Sequence, residues 1–169
     1  VNDRAALIVT SLGPIAFCLI PKCGQHTLES ISVDIVGPKA LKGLKRVAFI
    51  REPIDRLKSA YHFFLYKGYT LEGQAIGGWQ SFIDWALESN EEHIRPQATF
   101  TLAFDNFVKM DFMTEVLESI TENRIDALNA APRYNDVDDL YRIDDIRKKY
   151  KDDFILYESA LDGIPKRGF

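Results

Sequence analysis

Cysteine is scarce in this 169-residue chain: Cys18 and Cys23 are its only two. That is too few for a disulfide framework or for a zinc site built from cysteine alone. A bridge between them would strain a strand-to-loop junction, so two reduced thiols and a cytoplasm-like compartment are expected. Long apolar runs are also missing. No stretch reaches the roughly 20 apolar residues that a spanning helix needs. Residues 1–10 lack a basic start and a long apolar core, so a signal peptide is not expected. There is no internal repeat, low-complexity tract or linker rich in Pro, Gly or Ser, and a single domain over residues 1–169 follows. Positive charge is not in surplus: 21 Lys and Arg face 25 Asp and Glu, a net charge of -4. This argues against a general nucleic-acid binder, because phosphate backbones reward a basic face. It leaves room for one small basic pocket. No cluster with metal-ligand spacing stands out, so no metal is expected.

What is present suits a packed core. Hydrophobic residues make up 46% of the chain and aromatics 12%, enough to argue against disorder. A short apolar run at 5–10 reads as an edge strand, and a continuous one at 15–20, stopped by Pro21, as a buried parallel strand. Leu28, Ile31 and Ile35 recur at helical spacing from Thr27 until Gly37 and Pro38 end the helix. Residues 46–50 form a second buried strand. Pro53 then opens a helix whose stripe is Ile54, Leu57, Tyr61, Phe64 and Leu65, closed by Gly68. Further on, helices are expected at 79–88, 113–121 and 139–150, strands at 107–110 and 154–157, and a polar loop at 133–138. Trp79, Phe82 and Trp85 share one face of their helix and read as a core stripe before an acceptor or adenine wall. The alternation predicts an α/β fold with a mainly parallel sheet flanked by helices. Ligands of such sheets bind beyond the carboxyl ends of the strands.

Two segments sit at that end. The first runs Pro21, Lys22, Cys23, Gly24, Gln25, His26, Thr27 between a strand and a helix. Gly24 lets the backbone approach an anion, helix-start amides carry partial positive charge, Lys22 adds a mobile cation, and Thr27 offers a cap or a hydroxyl donor. It is not a Walker A loop, where the Lys follows the second Gly. An ordinary strand-to-helix turn with a surface Lys gives the same pattern. The second segment runs from Arg51 through Pro53 to Ser59 and Tyr61. Arg51 leaves a strand end and Ser59 lies about a turn and a half into the helix. The two can therefore reach one phosphate group, Arg as a bidentate fork and Ser as a neutral donor. The competing reading pairs Arg51 with Glu52 or Asp55 at the surface.

Together these segments resemble the sulfotransferase superfamily, most nearly its carbohydrate-type members. Strand-Pro-Lys-x-Gly-x-x-Thr resembles the 5′-phosphosulfate loop, and Arg-x-Pro-x-x-Arg-x-x-Ser-x-Tyr the 3′-phosphate motif. His93, Pro96 and Gln97 resemble a His-x-x-Pro-Gln element, followed by a strand and helix over 107–120. Arg133, Tyr134, Asn135 and residues 150–157 are similar to the C-terminal region. The likeness covers roughly residues 15–157. The chain departs from the family at Gln25 and His26, where small hydroxyl residues are usual, and it is short for the family. The resemblance implies a P-loop-like three-layer fold.

It also implies transfer of a sulfuryl group from 3′-phosphoadenosine 5′-phosphosulfate (PAPS) to an acceptor hydroxyl, leaving adenosine 3′,5′-bisphosphate (PAP). Catalysis by such proteins rests on positioning and charge stabilisation, as in phosphoryl transfer. Lys22 falls at the bridging oxygen. By the resemblance, Lys22, Cys23, Gly24, Gln25, His26 and Thr27 form the 5′-phosphosulfate loop and Arg51 and Ser59 the 3′-phosphate site, while Lys166, Arg167 and Gly168 are similar to a basic loop over that phosphate but read first as a solvated tail. His93 leads as the base, with His26 and Glu29 behind it; His62 reads as structural. Partners are a small-molecule or glycan acceptor. Two alternatives stay open: a PAP- or PAPS-binding module without transfer activity, and a P-loop kinase-like nucleotide-binding protein.

Overall fold

The computed structural model describes residues 4–126 and 137–164. Only Ser11 and Leu12 separate the first two strands, β1 (Ala5–Thr10) and β2 (Gly13–Cys18). Two residues cannot make a crossover, so these strands pair antiparallel, Ala5 facing Cys18 and Thr10 facing Gly13. The Thr10 hydroxyl closes the turn by donating to the Gly13 carbonyl at 2.7 Å. Helix α1 (Gln25–Ile31) leads back to β3 (Asp34–Val36), which pairs antiparallel with β1. From there the chain crosses over to β4 (Lys45–Ile50), parallel to β2.

Helix α2 (Pro53–Lys67) follows, with Pro53 in its first turn and Gly68 as left-handed C-cap. A small hairpin, β5 (Thr70–Leu71) and β6 (Gln74–Ala75), precedes α3 (Trp79–Glu88). Strand β7 (Asn106–Lys109) then adds parallel to β4 and is followed by α4 (Met113–Thr121). The described chain ends with α5 (Ile143–Lys149) and α6 (Lys151–Ser159).

The main sheet therefore runs β3-β1-β2-β4-β7. It is mixed: the mainly parallel expectation holds for β2, β4 and β7 and fails for β1 and β3. The β1 strand is also not an edge; β3 takes that place. The helix expected from Thr27 to Gly37 stops at Ile31, because Val33 donates its N–H to the Leu7 carbonyl at 2.9 Å and Ile35 joins the sheet. The open backbone edge of β1 outweighs the helical spacing of Leu28, Ile31 and Ile35. Residues 154–157 form no strand. They lie in α6: a four-residue apolar run does not by itself distinguish a strand from a buried helix face, and the strand expectation fails here. The helix expected at 139–150 begins only at Ile143, and the loop expected at 133–138 lies mostly outside the described residues. The α/β class itself holds, with helices against a five-stranded sheet.

Period-two alternation sorts the core. Ile15, Phe17, Val47 and Phe49 point to one face of the sheet, against Leu28 of α1 and Val116, Leu117 and Ile120 of α4. The Phe17 and Phe49 rings stack there at 5.6 Å. Ala16, Cys18, Ala48 and Ile50 point to the other face, under Phe100, Phe104 and Leu156. A third cluster joins α2, α3 and α5 through Tyr61, Trp79, Phe82 and Ile146. Among the described residues, no helix is long and apolar enough to cross a membrane.

The helical state of 151–159 has a direct test. Ile155 is 54% exposed, so replacing it costs little packing. Ile155→Pro is expected to destabilise the protein by about 3 kcal/mol in urea unfolding, because proline breaks a helix interior; an unchanged midpoint would be the mark of an edge strand instead.

Candidate functional site

Both expected segments fold as the strand–turn–helix reading required. The turn after β2 carries Lys22 at φ 68 and Gly24 at φ 76. Gly24 is fixed by more than its dihedral: a Cβ there would run into the Met113 sulfur. Pro21, Lys22, Gly24, Gln25, His26, Thr27, Arg51, Ser59 and His93 all line one cleft of about 200 Å³, joined by Phe63, Glu92, Met110 and Met113. The turn after β2 and the start of α2 thus face each other. Arg51 does not pair with Glu52 or Asp55 among the described residues; its guanidinium donates to the Lys22 carbonyl at 3.2 Å. Glu52 instead caps α2 by accepting the Asp55 N–H at 2.7 Å.

The two turns are tied together from beneath. Arg56, 1% exposed, donates Nε to the Pro21 carbonyl at 3.0 Å and Nη1 to the Arg95 carbonyl at 2.9 Å. Gln97 lies buried under the cleft floor. Its side-chain oxygen accepts the Arg51 N–H at 2.9 Å and the Cys23 thiol at 3.0 Å, and its amide donates to the Arg51 carbonyl at 2.8 Å. Asp153 of α6 holds that element in turn, accepting the Gln97 and Ala98 N–H groups at 2.8 and 2.9 Å. Cys23 is therefore in the core rather than on the cleft wall, and burial pushes its thiol up.

The cleft lining carries Lys22 and Arg51 against Glu92. Among the described residues neither Lys22, Arg51 nor Arg56 has an ion-pair partner. The Lys22 ammonium sits 4.0 Å from the centre of the Phe63 ring. Burial first, then the Arg51 and Arg56 charges, push Lys22 from its ordinary 10.5 down to about 8.

The other candidates divide. Gln25 and His26 are both drawn to Glu29, at 2.8 and 3.4 Å. His93 is oriented by Glu91, its Nδ1 lying 2.7 Å from Oε1. Glu91, Glu92 and His93 offer ligand atoms within 4.8 Å of one another, but Glu92 is exposed and Nδ1 is already committed, so the group reads as a hydrogen-bonded pair. His62 is buried, as expected of a structural residue, and Trp79 and Phe82 are core. Lys166, Arg167, Gly168 and the Arg133–Asn135 stretch lie outside the described residues. The roles of Arg56, Gln97, Phe63 and Glu91 were not assigned from sequence. Arg56 and Gln97 stood inside the quoted motifs, and Phe63 lies one helical turn beyond Ser59, which was the available signal. Comparisons with protein-family models, curated proteins and solved structures return no match.

The depressed Lys22 fixes a pH signature. Between about 8 and its ordinary 10.5 the unfolded chain binds more protons at this group than the folded one. Stability from Lys22 therefore rises with pH across that window, and the folded protein carries the charging cost below it. Lys22→Met is expected to be more stable than wild type at pH 7 in urea unfolding, with the gap closing as pH approaches 10. A gap independent of pH would contradict an uncompensated charge at Lys22.

Proposed function

We propose that this protein is a sulfotransferase-like enzyme that binds a PAPS-type nucleotide and moves its sulfuryl group to an acceptor hydroxyl, with carbohydrate the favoured acceptor class. The observation that carries the reading is the convergence of Lys22, Arg51 and Ser59 on one cleft where neither cation is ion-paired among the described residues. Lys22, pushed down by burial and then by the Arg51 and Arg56 charges, is relieved by an anion, and a doubly charged group is a natural occupant. The cleft volume of about 200 Å³ is below the ~300–1,000 Å³ of sites that enclose a whole small molecule. It suits the charged groups, with the adenosine lying across the rim.

In this scheme the guanidinium of Arg51 and the hydroxyl of Ser59 hold the 3′-phosphate. The Lys22 ammonium stands at the bridging oxygen, where charge builds as the sulfur–oxygen bond breaks. Phe63 and the methionines exclude water, which strengthens each charge contact. His93 takes the acceptor proton. The binding-module alternative draws support from Gln25 and His26, whose contacts with Glu29 take two loop side chains away from an anion.

Calorimetry with PAP tests binding, and sulfate transfer from PAPS tests the chemistry. Arg51→Ala is expected to weaken PAP binding about 10- to 100-fold, the scale of one or two charged hydrogen bonds. Lys22→Ala is expected to keep much of that affinity while losing transfer by a larger factor. Equal PAP affinity in wild type and Arg51→Ala would contradict the site; normal transfer by Lys22→Ala would remove Lys22 from the chemistry.

A further inference from the structure

His93 is held from every side. Glu91 spends both carboxylate oxygens on it, Oε1 on the ring Nδ1 and Oε2 on the backbone N–H, each at 2.7 Å. Glu91 is itself fixed, its N–H donating to the Ser89 hydroxyl and its carbonyl accepting from Ile94 and Arg95. Phe63 stacks on the imidazole at 5.0 Å, and Phe64 meets it edge-on at 5.7 Å. The ring Nε2 has no partner among the described residues, and His93 lines the same cleft as Lys22. One aromatic ring, Phe63, therefore contacts both the imidazole and the Lys22 ammonium.

We infer that Glu91 is a positioning residue that locks His93 in the Nδ1–H tautomer, so that Nε2 is the nitrogen that accepts the acceptor hydroxyl proton. An ionised carboxylate only accepts hydrogen bonds, so Nδ1 must carry the hydrogen. Burial favours the neutral acid, yet the hydrogen bond from His93 holds Glu91 below the ordinary carboxylate range, which keeps it an acceptor. The inference rests on the transfer reading for its chemistry. As the acceptor oxygen bonds to sulfur, its proton passes to Nε2, the sulfur–oxygen bond to the phosphate breaks, and the phosphate keeps that electron pair. The imidazolium then returns its proton to water. Phe63 holds proton acceptor and leaving-group cation against one rigid ring, which fixes their separation. The orientation of a base by a carboxylate is what separates a usable ring nitrogen from a blocked one.

The chain has three histidines, so ring-nitrogen NMR of 15N-labelled protein can assign each tautomer when the rings are neutral. Wild-type His93 is expected as Nδ1–H. Glu91→Gln keeps an oxygen for the His93 backbone N–H and turns its NH₂ toward Nδ1, so the variant is expected to switch to Nε2–H. With PAPS as donor and 4-nitrophenol and N-acetylglucosamine as probe acceptors, kcat in Glu91→Gln should fall about 10²- to 10⁴-fold, the usual worth of a positioned base. The PAP dissociation constant should stay within about twofold, whereas a merely structural Glu91 would move it with the stability and leave the tautomer alone. Wild-type His93 found as Nε2–H, or full transfer by a tautomer-switched Glu91→Gln, overturns the inference. A wild-type chain that binds PAP but transfers to neither probe contradicts the transfer reading; the ring-nitrogen spectra, which need no variant, then decide the Glu91 lock alone.

Discussion

The buried guanidinium of Arg56 is the constraint on which the site depends. A charge 1% exposed is costly unless its hydrogen bonds are met. Here they are met by backbone carbonyls of Pro21, Arg95 and Glu92, which belong to two separate turns. The turn after β2 cannot drift from α2, nor the 92–97 segment from either, without stranding that charge. Gln97 adds the same kind of tie at neutral cost, since one amide satisfies both the N–H and the carbonyl of Arg51. Asp153 anchors Gln97 from α6, so the last described helix acts on the cleft floor without reaching the cleft. The result is a set of loops held as rigidly as secondary structure, which is what precise placement of charged groups requires.

That rigidity has an electrostatic consequence. Holding Lys22, Arg51 and Arg56 close together costs the folded protein energy that no carboxylate among the described residues offsets by ion pairing. Lys22, pushed down first by burial and then by those two guanidinium charges, gives up its proton more readily than an ordinary lysine. Perturbed titratable groups concentrate at functional sites, and crowded cations favour an anion between them. The Lys22 backbone, at φ 68, carries a second strain at the same residue. His93, oriented by Glu91, lines the same cleft, and its imidazole and the Lys22 ammonium both contact Phe63.

Much of this was legible in the sequence. The strands ending at Pro21 and Arg51, the helix from Pro53 to Gly68, and the helices at 79–88 and 113–121 follow from apolar periodicity and from Pro and Gly as punctuation. Lys22 and the Arg51–Ser59 pair were each expected at the carboxyl end of a strand, and the parallel pairing of β2 with β4 brings them to one cleft. What was not legible depended on long-range partners. Ile35 fits a helical stripe until the open edge of β1 claims it. Phe154 to Tyr157 look like a strand until Asp153 is needed one turn earlier to hold Gln97. Arg56 reads as a surface charge in an amphipathic helix, and nothing local reveals that three carbonyls await it. Glu91 sits two residues before His93, close enough to suggest a pairing but not its geometry. Cys23 stood in the loop and was grouped with its neighbours, although the turn directs its thiol to Gln97 in the core.

The central claim is that the two turns act as one anion site. The most direct measurement is a backbone amide NMR titration with PAP, following residues 22–27, Arg51 and Ser59 together. The expected result is that signals from both turns shift along a single binding curve, with Gln97 moving beneath them. Shifts confined to one turn, or no saturable shift in either, would contradict it.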